Sequence, residues 1–479
     1  MQIKTKKTMK KNILYIAMAA ALGFTACQPE IESPISKGSE IDLTKYVAVG
    51  NSLTAGYMDG GVYNEGIEAS YPNLIAKQFK LVGGGDFVQA YFPEGQENGS
   101  GYFKVTGFDS NGVPIVETET NNLAVTGQTL PGGAAQLTAY SGPLPNNLGI
   151  PGIAVANLQD PLYSQGNPYF ERLKSGNPTS YIDMVGEAAP TFFTCWMGNN
   201  DVLGFVTSGG TSPITDAATF QTNYQALIDK LTENGAKGVI ANIPNVTSIP
   251  YVYAPNALVA QQAGGSFPVI PLDATTAAQL NGAYQLAGYS DPGFQAGNNY
   301  PVIVVDDPAT ASVIEVRQMD PNQDLLLYHF LNPANPTGHA GEIATGRGWM
   351  TDTNSDNIPD TPTPIADRDV LDYAELVEAI TAVVTFNTII QQVADAAGIP
   401  VIDTDPYLLQ VLSGQGIEGV QVDGTPFSGG FFSIDQVHPT PKGYAIMANI
   451  FLRHINKAYN ANIPLIDINA LNPRGVKFP

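Results

Sequence analysis

Positive charge is scarce in this sequence. Lys and Arg number 22 against 44 Asp and Glu, a net charge of −22 over 479 residues. That excludes nucleic acid as the main partner, because phosphate binding needs a basic surface. Charge of either sign is sparse: 14% of residues carry it, against roughly 25% in an average domain. Cysteine occurs twice, too seldom for a disulfide framework. Two Trp are too few to define a binding platform. No run reads as long and apolar enough to reach the roughly 20 residues that cross a bilayer, so no transmembrane helix is expected. Gly (49) and Pro (36) are abundant and assign much of the surface to turns and loops. Hydrophobic residues at 43% supply a sizeable core and exclude global disorder. The length fits two or three domains, or one elaborated domain, at roughly 100–200 residues each.

The first residues read as an address. Met1–Lys11 carries five lysines and no acid, and Ile13–Ala26 is apolar or small. A positive segment before a short apolar one has the form of a secretory signal. Phe24-Thr25-Ala26-Cys27 resembles the end of a bacterial lipoprotein signal, with Phe24 where Leu is usual. The resemblance implies cleavage before Cys27, lipidation of its thiol, and a place in the bacterial cell envelope at the outer membrane. A signal cut without lipidation is the alternative. Removing the five lysines makes the mature chain more acidic. Residues 27–40 then form anchor and tether, and Glu30 and Glu32 weakly resemble the surface-export signals of some lipoproteins.

Four short apolar runs suit buried strands: Tyr46–Gly50, Thr191–Met197, Lys237–Ile243 and Ile399–Asp403. Each adjoins a helical pattern. Asp216–Asn234 stops at Gly235. Asp367–Ala397 repeats apolar residues at Leu371, Ala374, Val377, Ile380, Val384 and Ile389 and stops at Gly398. Pro441–Tyr459 is an amphipathic helix with Pro near its start. This alternation predicts an α/β layered domain with a mainly parallel sheet over residues 41–479. Three stretches break the rhythm and read as insertions into that core: 83–146, with a hairpin over Tyr102–Thr118, 244–301, with little periodicity, and 301–364, with short β-like runs. As loops on a rigid scaffold they are expected to surround the site.

Four blocks carry chemistry. Gly50–Thr54 (GNSLT) follows the first strand and puts Ser52 at a strand's carboxyl end, where open α/β sheets bind ligands. Thr54 stands where a nucleophile elbow needs Gly. In Asp435–Pro439 (DQVHP), His438 can accept a proton near neutral pH, and Asp435 can take the other ring N–H. Gly198–Asp201 (GNND) offers an Asn amide to a developing oxyanion. Asn147–Gly152 (NLGIPG) is a turn whose Gly152 leaves its N–H unobstructed. Singly, these read as a cap, a chance His–Asp loop, an Asx-turn and an ordinary turn.

Together and in this order, the blocks resemble the SGNH (GDSL) hydrolase family over about residues 46–452, with the three insertions unmatched. The resemblance implies a flavodoxin-like three-layer α/β/α sandwich and a serine ester hydrolase, an esterase or lipase. It makes Ser52 the nucleophile, His438 the general base and Asp435 its orienting partner. The Ser52 and Gly152 N–H groups and the Asn200 side chain become the oxyanion hole. Asn51 departs from the family's name motif, which has Asp there; that bears on loop hydrogen bonding more than on catalysis. No cofactor is implied for catalysis. The implied partners are small-molecule, lipid or acylated-glycan esters, with no nucleic acid. An O-acetyl glycan esterase, an acyltransferase with the same triad, and a non-catalytic glycan-binding lipoprotein are the rival readings.

Other residues are weaker candidates. Asp352, Asn354, Asp356 and Asp360, with the Ile358 carbonyl, match the first nine positions of a calcium loop and resemble dockerin and thrombospondin loops. Asn357 replaces the Gly of position 6 and Thr363 the Glu of position 12. A structural calcium loop and a solvated turn-rich loop fit equally. His329 and His339 carry no zinc signature and read as loop histidines. Cys195 lies in an apolar run and reads as an inert core thiol.

Overall fold

The structure is a computed structural model that describes residues 34–108, 114–174, 179–306, 313–331, 347–351, 361–417 and 419–479. Five parallel strands form the central sheet: β1 (Tyr46–Gly50), β2 (Asn147–Gly149), β3 (Phe192–Trp196), β4 (Lys237–Ala241) and β5 (Val401–Ile402). Their order is β5-β4-β3-β1-β2. Every residue of β1 and β3 is buried, which is why both read as continuous apolar runs. β2 read as a turn, because three residues headed by Asn carry no strand pattern; it is set by pairing with β1.

Helices cover both faces. α1 (Ser52–Ala55) follows β1, and α2 (Tyr71–Leu81) packs on one layer with the late helix Pro441–Ala458. The opposite layer holds α3 (Tyr181–Ala188) and α5 (Ala217–Thr232); between them in the chain comes α4 (Asn200–Thr207), at the end of β3. The chain is thus a three-layer α/β/α sandwich around a parallel sheet. The strand order reverses at β1: β2 lies on one side and β3 on the other. The crevice beyond its carboxyl end is the topological switch point where such sheets bind ligands. Register makes the three strand ends flush, since Gly50 stands opposite both Gly149 and Trp196. A Cβ on Gly50 would lie 2.7 Å from the Trp196 carbonyl, so only glycine fits.

Three expectations change. First, the stretch 244–301 is helical: α6 (Pro250–Gln262) and α7 (Ala274–Leu286) occupy it. Their apolar residues form no single stripe, so periodicity could not reveal them. Second, the last long pattern begins later, as α8 (Tyr373–Ala397), capped by Asp372 and ended by Gly398. Its buried face is Ala379, Val383, Phe386, Ile390 and Val393, with Phe386 stacked on Phe220 of α5 at 4.1 Å. Val377, Ile380 and Val384 of the expected stripe are exposed, because the helix is apolar on two sides. Third, α8 is long and apolar enough to span a membrane by length and composition, contrary to the reading that no run qualifies; here it packs on α5 and α4. α9 (Asp405–Leu412) and α10 (Pro441–Ala458) complete the core.

The hairpin of the first insertion pairs Phe103–Phe108 with Pro114–Thr118, while its turn lies outside the described residues. The second and third insertions share a separate core that includes Tyr284, Val302, Ile303, Phe330 and Ile365.

Candidate active site

Ser52 opens α1 immediately beyond β1, in a turn that Asn51 caps by accepting the Leu53 N–H at 3.1 Å. The buried Asn51 amide also donates to Asn199 Oδ1 at 3.1 Å. The departure from Asp at position 51 therefore ties the β1 loop to the β3 loop, a donation that a carboxylate cannot make. Asn147 of β2 donates to the Thr54 carbonyl at 2.9 Å and fixes the same turn from the other side.

His438 reaches this turn from 386 positions away: its Nε2 lies 2.8 Å from Ser52 Oγ. Its Nδ1 lies 3.0 Å from Asp435 Oδ2. Asp435 also accepts the backbone N–H groups of Gly60 (2.9 Å), Val437 (2.9 Å) and His438 (2.8 Å). Burial works to raise the Asp435 carboxyl, but His438 and these amides outweigh it and hold the group below its ordinary value. A carboxylate only accepts, so the His438 proton sits on Nδ1 and the Nε2 lone pair faces the Ser52 hydroxyl. The Tyr57 ring flanks the imidazole at 4.5 Å between centroids.

Two strained loops are joined here. Asp59 and Gln436 both lie in the left-handed region, at φ 53° and 62°. The Asp59 N–H donates to Ser433 Oγ at 2.9 Å, and Asp59 Oδ1 accepts the Ile434 N–H at 3.1 Å. Tyr63 and Arg474 bind the other Asp59 oxygen. Burial still raises the Asp59 carboxyl against the pull of these partners. The Gln436 carbonyl accepts the N–H of Tyr251 from α6, so an insertion also grips the loop.

Gly152 adopts φ 80°, and among the described residues neither its N–H nor that of Ser52 has a protein acceptor. Asn200 starts α4 and donates one of its two amide hydrogens to the Ile153 carbonyl at 2.9 Å, leaving the second. Asp201 joins the same loops by accepting the N–H groups of Val155 (2.8 Å) and Ala156 (3.3 Å). Burial pushes its carboxyl up to about 6, although these amides and the Thr215 hydroxyl lower it.

The family of GDSL-like lipases and acylhydrolases matches residues 46–284. The chain belongs to this family. No curated protein and no solved structure matches it. The matched region holds Ser52, Gly152 and Asn200; Asp435 and His438 lie beyond it. As a GDSL-family chain, the protein is a hydrolase of ester bonds.

The structure brings Ser52, His438 and Asp435 into one hydrogen-bonded line and sets Gly152 and Asn200 on the loops of the neighbouring strands. Cys27, the calcium-loop residues Asp352, Asn354, Asp356, Ile358 and Asp360, and His339 lie outside the described residues. Among the described residues no group of three or more metal-binding side chains occurs. Cys195 is buried and free, and burial pushes its thiol up to about 12. Sequence reasoning missed Asp59, Asp201, Tyr57, Tyr251 and Arg474. Asp201 adjoins Asn200 and could have been singled out. Asp59 gave no local signal, because its loop partner Ser433 lies 374 positions away.

Proposed function

We propose that this protein is a serine carboxylic-ester hydrolase in which Ser52 attacks, His438 takes its proton and Asp435 orients His438. The observation that carries this reading is the 2.8 Å contact between His438 Nε2 and Ser52 Oγ, backed by an ionised Asp435. As the Oγ–carbonyl bond forms, the serine proton passes to Nε2. The oxyanion meets the N–H groups of Ser52 and Gly152 and the free Asn200 amide hydrogen. One such donor is worth about 3–4 kcal/mol. Nε2–H then protonates the departing alcohol as the carbonyl–alkoxy bond breaks, and water repeats the cycle on the acyl-enzyme.

Lipidation of Cys27 and an outer-membrane address belong to the same reading. Ser36 pairs with Asn462, just beyond the far end of α10, whereas His438 stands just before its start. The 18 residues of α10 make a spacer of about 27 Å. An anchored enzyme would so hold its site away from the membrane, towards soluble or glycan-borne esters.

Ser52→Ala is expected to abolish turnover of p-nitrophenyl acetate and labelling by a fluorophosphonate probe, with the circular dichroism spectrum unchanged. Wild-type turnover in the variant would remove the reading. An unlabelled, inactive wild type would favour a binding protein.

A further inference from the structure

The Asp435 oxygen that faces His438 Nδ1 is also the one that accepts the Gly60 N–H, at 2.9 Å. The aim of that amide is set one residue earlier, by Asp59 in its left-handed conformation. A backbone of this kind persists only where its surroundings over-determine it. The Asp59 carboxylate supplies much of that restraint. Its Oδ1 accepts the Ile434 N–H, and its Oδ2 accepts the Tyr63 hydroxyl at 2.6 Å and Arg474 Nη2 at 3.4 Å. The charged and titratable groups facing Asp59 are Tyr63, Arg474, Asp435 and Tyr444, with Glu65 on Arg474 Nε. Arg474 is the one cation among them. Burial raises the Asp59 carboxyl, Tyr63 and Arg474 work to lower it, and the Asp435 charge adds to the rise. The backbone of Arg474 is held independently of its side chain. Its carbonyl accepts the Lys442 N–H at 3.0 Å, and Val476 packs beside Val105, Val116 and Ile434.

We propose that Arg474 is a positioning residue: its guanidinium pins the Asp59 carboxylate, which aims the Gly60 N–H at the Asp435 oxygen that orients His438. The proposal rests on Ser52 and His438 being nucleophile and base. Without the guanidinium, Asp59 faces the Asp435 charge with no cation beside it and takes up a proton at higher pH. A neutral carboxyl gives up its charge-assisted hydrogen bonds, and the turn that carries Gly60 relaxes. Asp435 then loses a donor, and His438 loses its fixed aim at Ser52. Raising the pH ionises Asp59 again and restores the grip.

The test is the pH profile of kcat and KM for p-nitrophenyl butanoate with the full chain, from about pH 5 to pH 9. Arg474→Gln is expected to lower kcat at pH 7 by about 10–100-fold and to move the acid limb up by about 1–2 pH units. At pH 9 its kcat is expected to return to within about threefold of wild type, and KM to change less than about twofold throughout, since Arg474 acts through Asp435. Arg474→Lys keeps the charge without the planar fork, and its acid limb is expected between those of wild type and Arg474→Gln. Tyr63→Phe keeps the ring and removes the other side-chain donor to Asp59, so its acid limb is expected to move the same way by less. A loss equal at every pH, a loss confined to KM, or full kcat at pH 7 in Arg474→Gln overturns the proposal. Should that variant fail to fold, Tyr63→Phe decides: an unmoved acid limb overturns it. Fluorophosphonate labelling separates the two levels. A labelled wild type with unmoved limbs in the variants overturns the role of Arg474 only, and an unlabelled, inactive wild type overturns the nucleophile as well.

Discussion

Two hydroxyl–imidazole–carboxylate relays stand in this molecule. Ser52–His438–Asp435 crosses the strand ends of the core, with contacts of 2.8 and 3.0 Å. Tyr251–His329–Asp369 joins α6 to the end of the third insertion, with contacts of 2.7 and 2.9 Å. In each, the carboxylate accepts from one ring nitrogen and leaves the other to accept from a hydroxyl. The carboxylates differ. Asp435 has three backbone N–H donors besides its imidazole. Asp369 has Oδ2 buried with no hydrogen-bond partner among the described residues. The hydroxyls differ too: Ser52 heads α1 at the switch point, while Tyr251 lies on α6 and burial raises its phenol. The two lines of three functional groups are therefore not alike, and the proposed function rests on the first set only. Around the first relay burial is outweighed: three backbone donors and the imidazole hold the Asp435 carboxyl low.

The largest separation between the relays should appear in turnover. His438→Asn is expected to lower kcat for p-nitrophenyl butanoate by about 10⁴-fold or more, and His329→Asn by less than tenfold; equal losses would put both relays in the chemistry. A smaller separation should appear in stability against pH. The folded pKa of Asp435 is depressed, so its contribution is present above the unfolded value of about 3.9 and is lost as pH falls through the folded value. Asp435→Asn should therefore cost about 1–3 kcal/mol in urea unfolding at pH 7, with the gap closing below about pH 4. Asp369→Asn keeps an acceptor for His329, and Asp369 Oδ2 has no hydrogen-bond partner to lose among the described residues, so its cost at pH 7 should stay under about 1 kcal/mol. The smallest effect belongs to Tyr251→Phe: about 1 kcal/mol of stability, for one hydrogen bond, and less than threefold in kcat/KM. A tenfold loss there would make the second relay a positioning device for the first, acting through the Tyr251 N–H on Gln436.

Legibility followed burial and chain distance. Buried parallel strands write themselves as apolar runs, so four of the five strands could be read directly. Ser52, His438, Asp435, Gly152 and Asn200 were legible because each sits in a short block beside a strand or helix end. α6 and α7 were not, since they carry no one-sided stripe. Nor was the suture of Asp59 to Ser433, or the hold of Arg474 on Asp59, Tyr63 and Glu65, because these bonds cross more than 370 positions. The second relay escaped for the same reason: Tyr251 and His329 are 78 positions apart, and His329 alone looked like a loop residue.

The span of 386 positions between Ser52 and His438 also sets a schedule. A ribosome adding roughly 5–20 residues per second makes the serine about 20–80 s before the imidazole that we propose activates it. Throughout that interval the hydroxyl is an unassisted alcohol. On the proposed reading the growing chain carries no working hydrolase until the last layer of the sandwich brings His438 to Ser52.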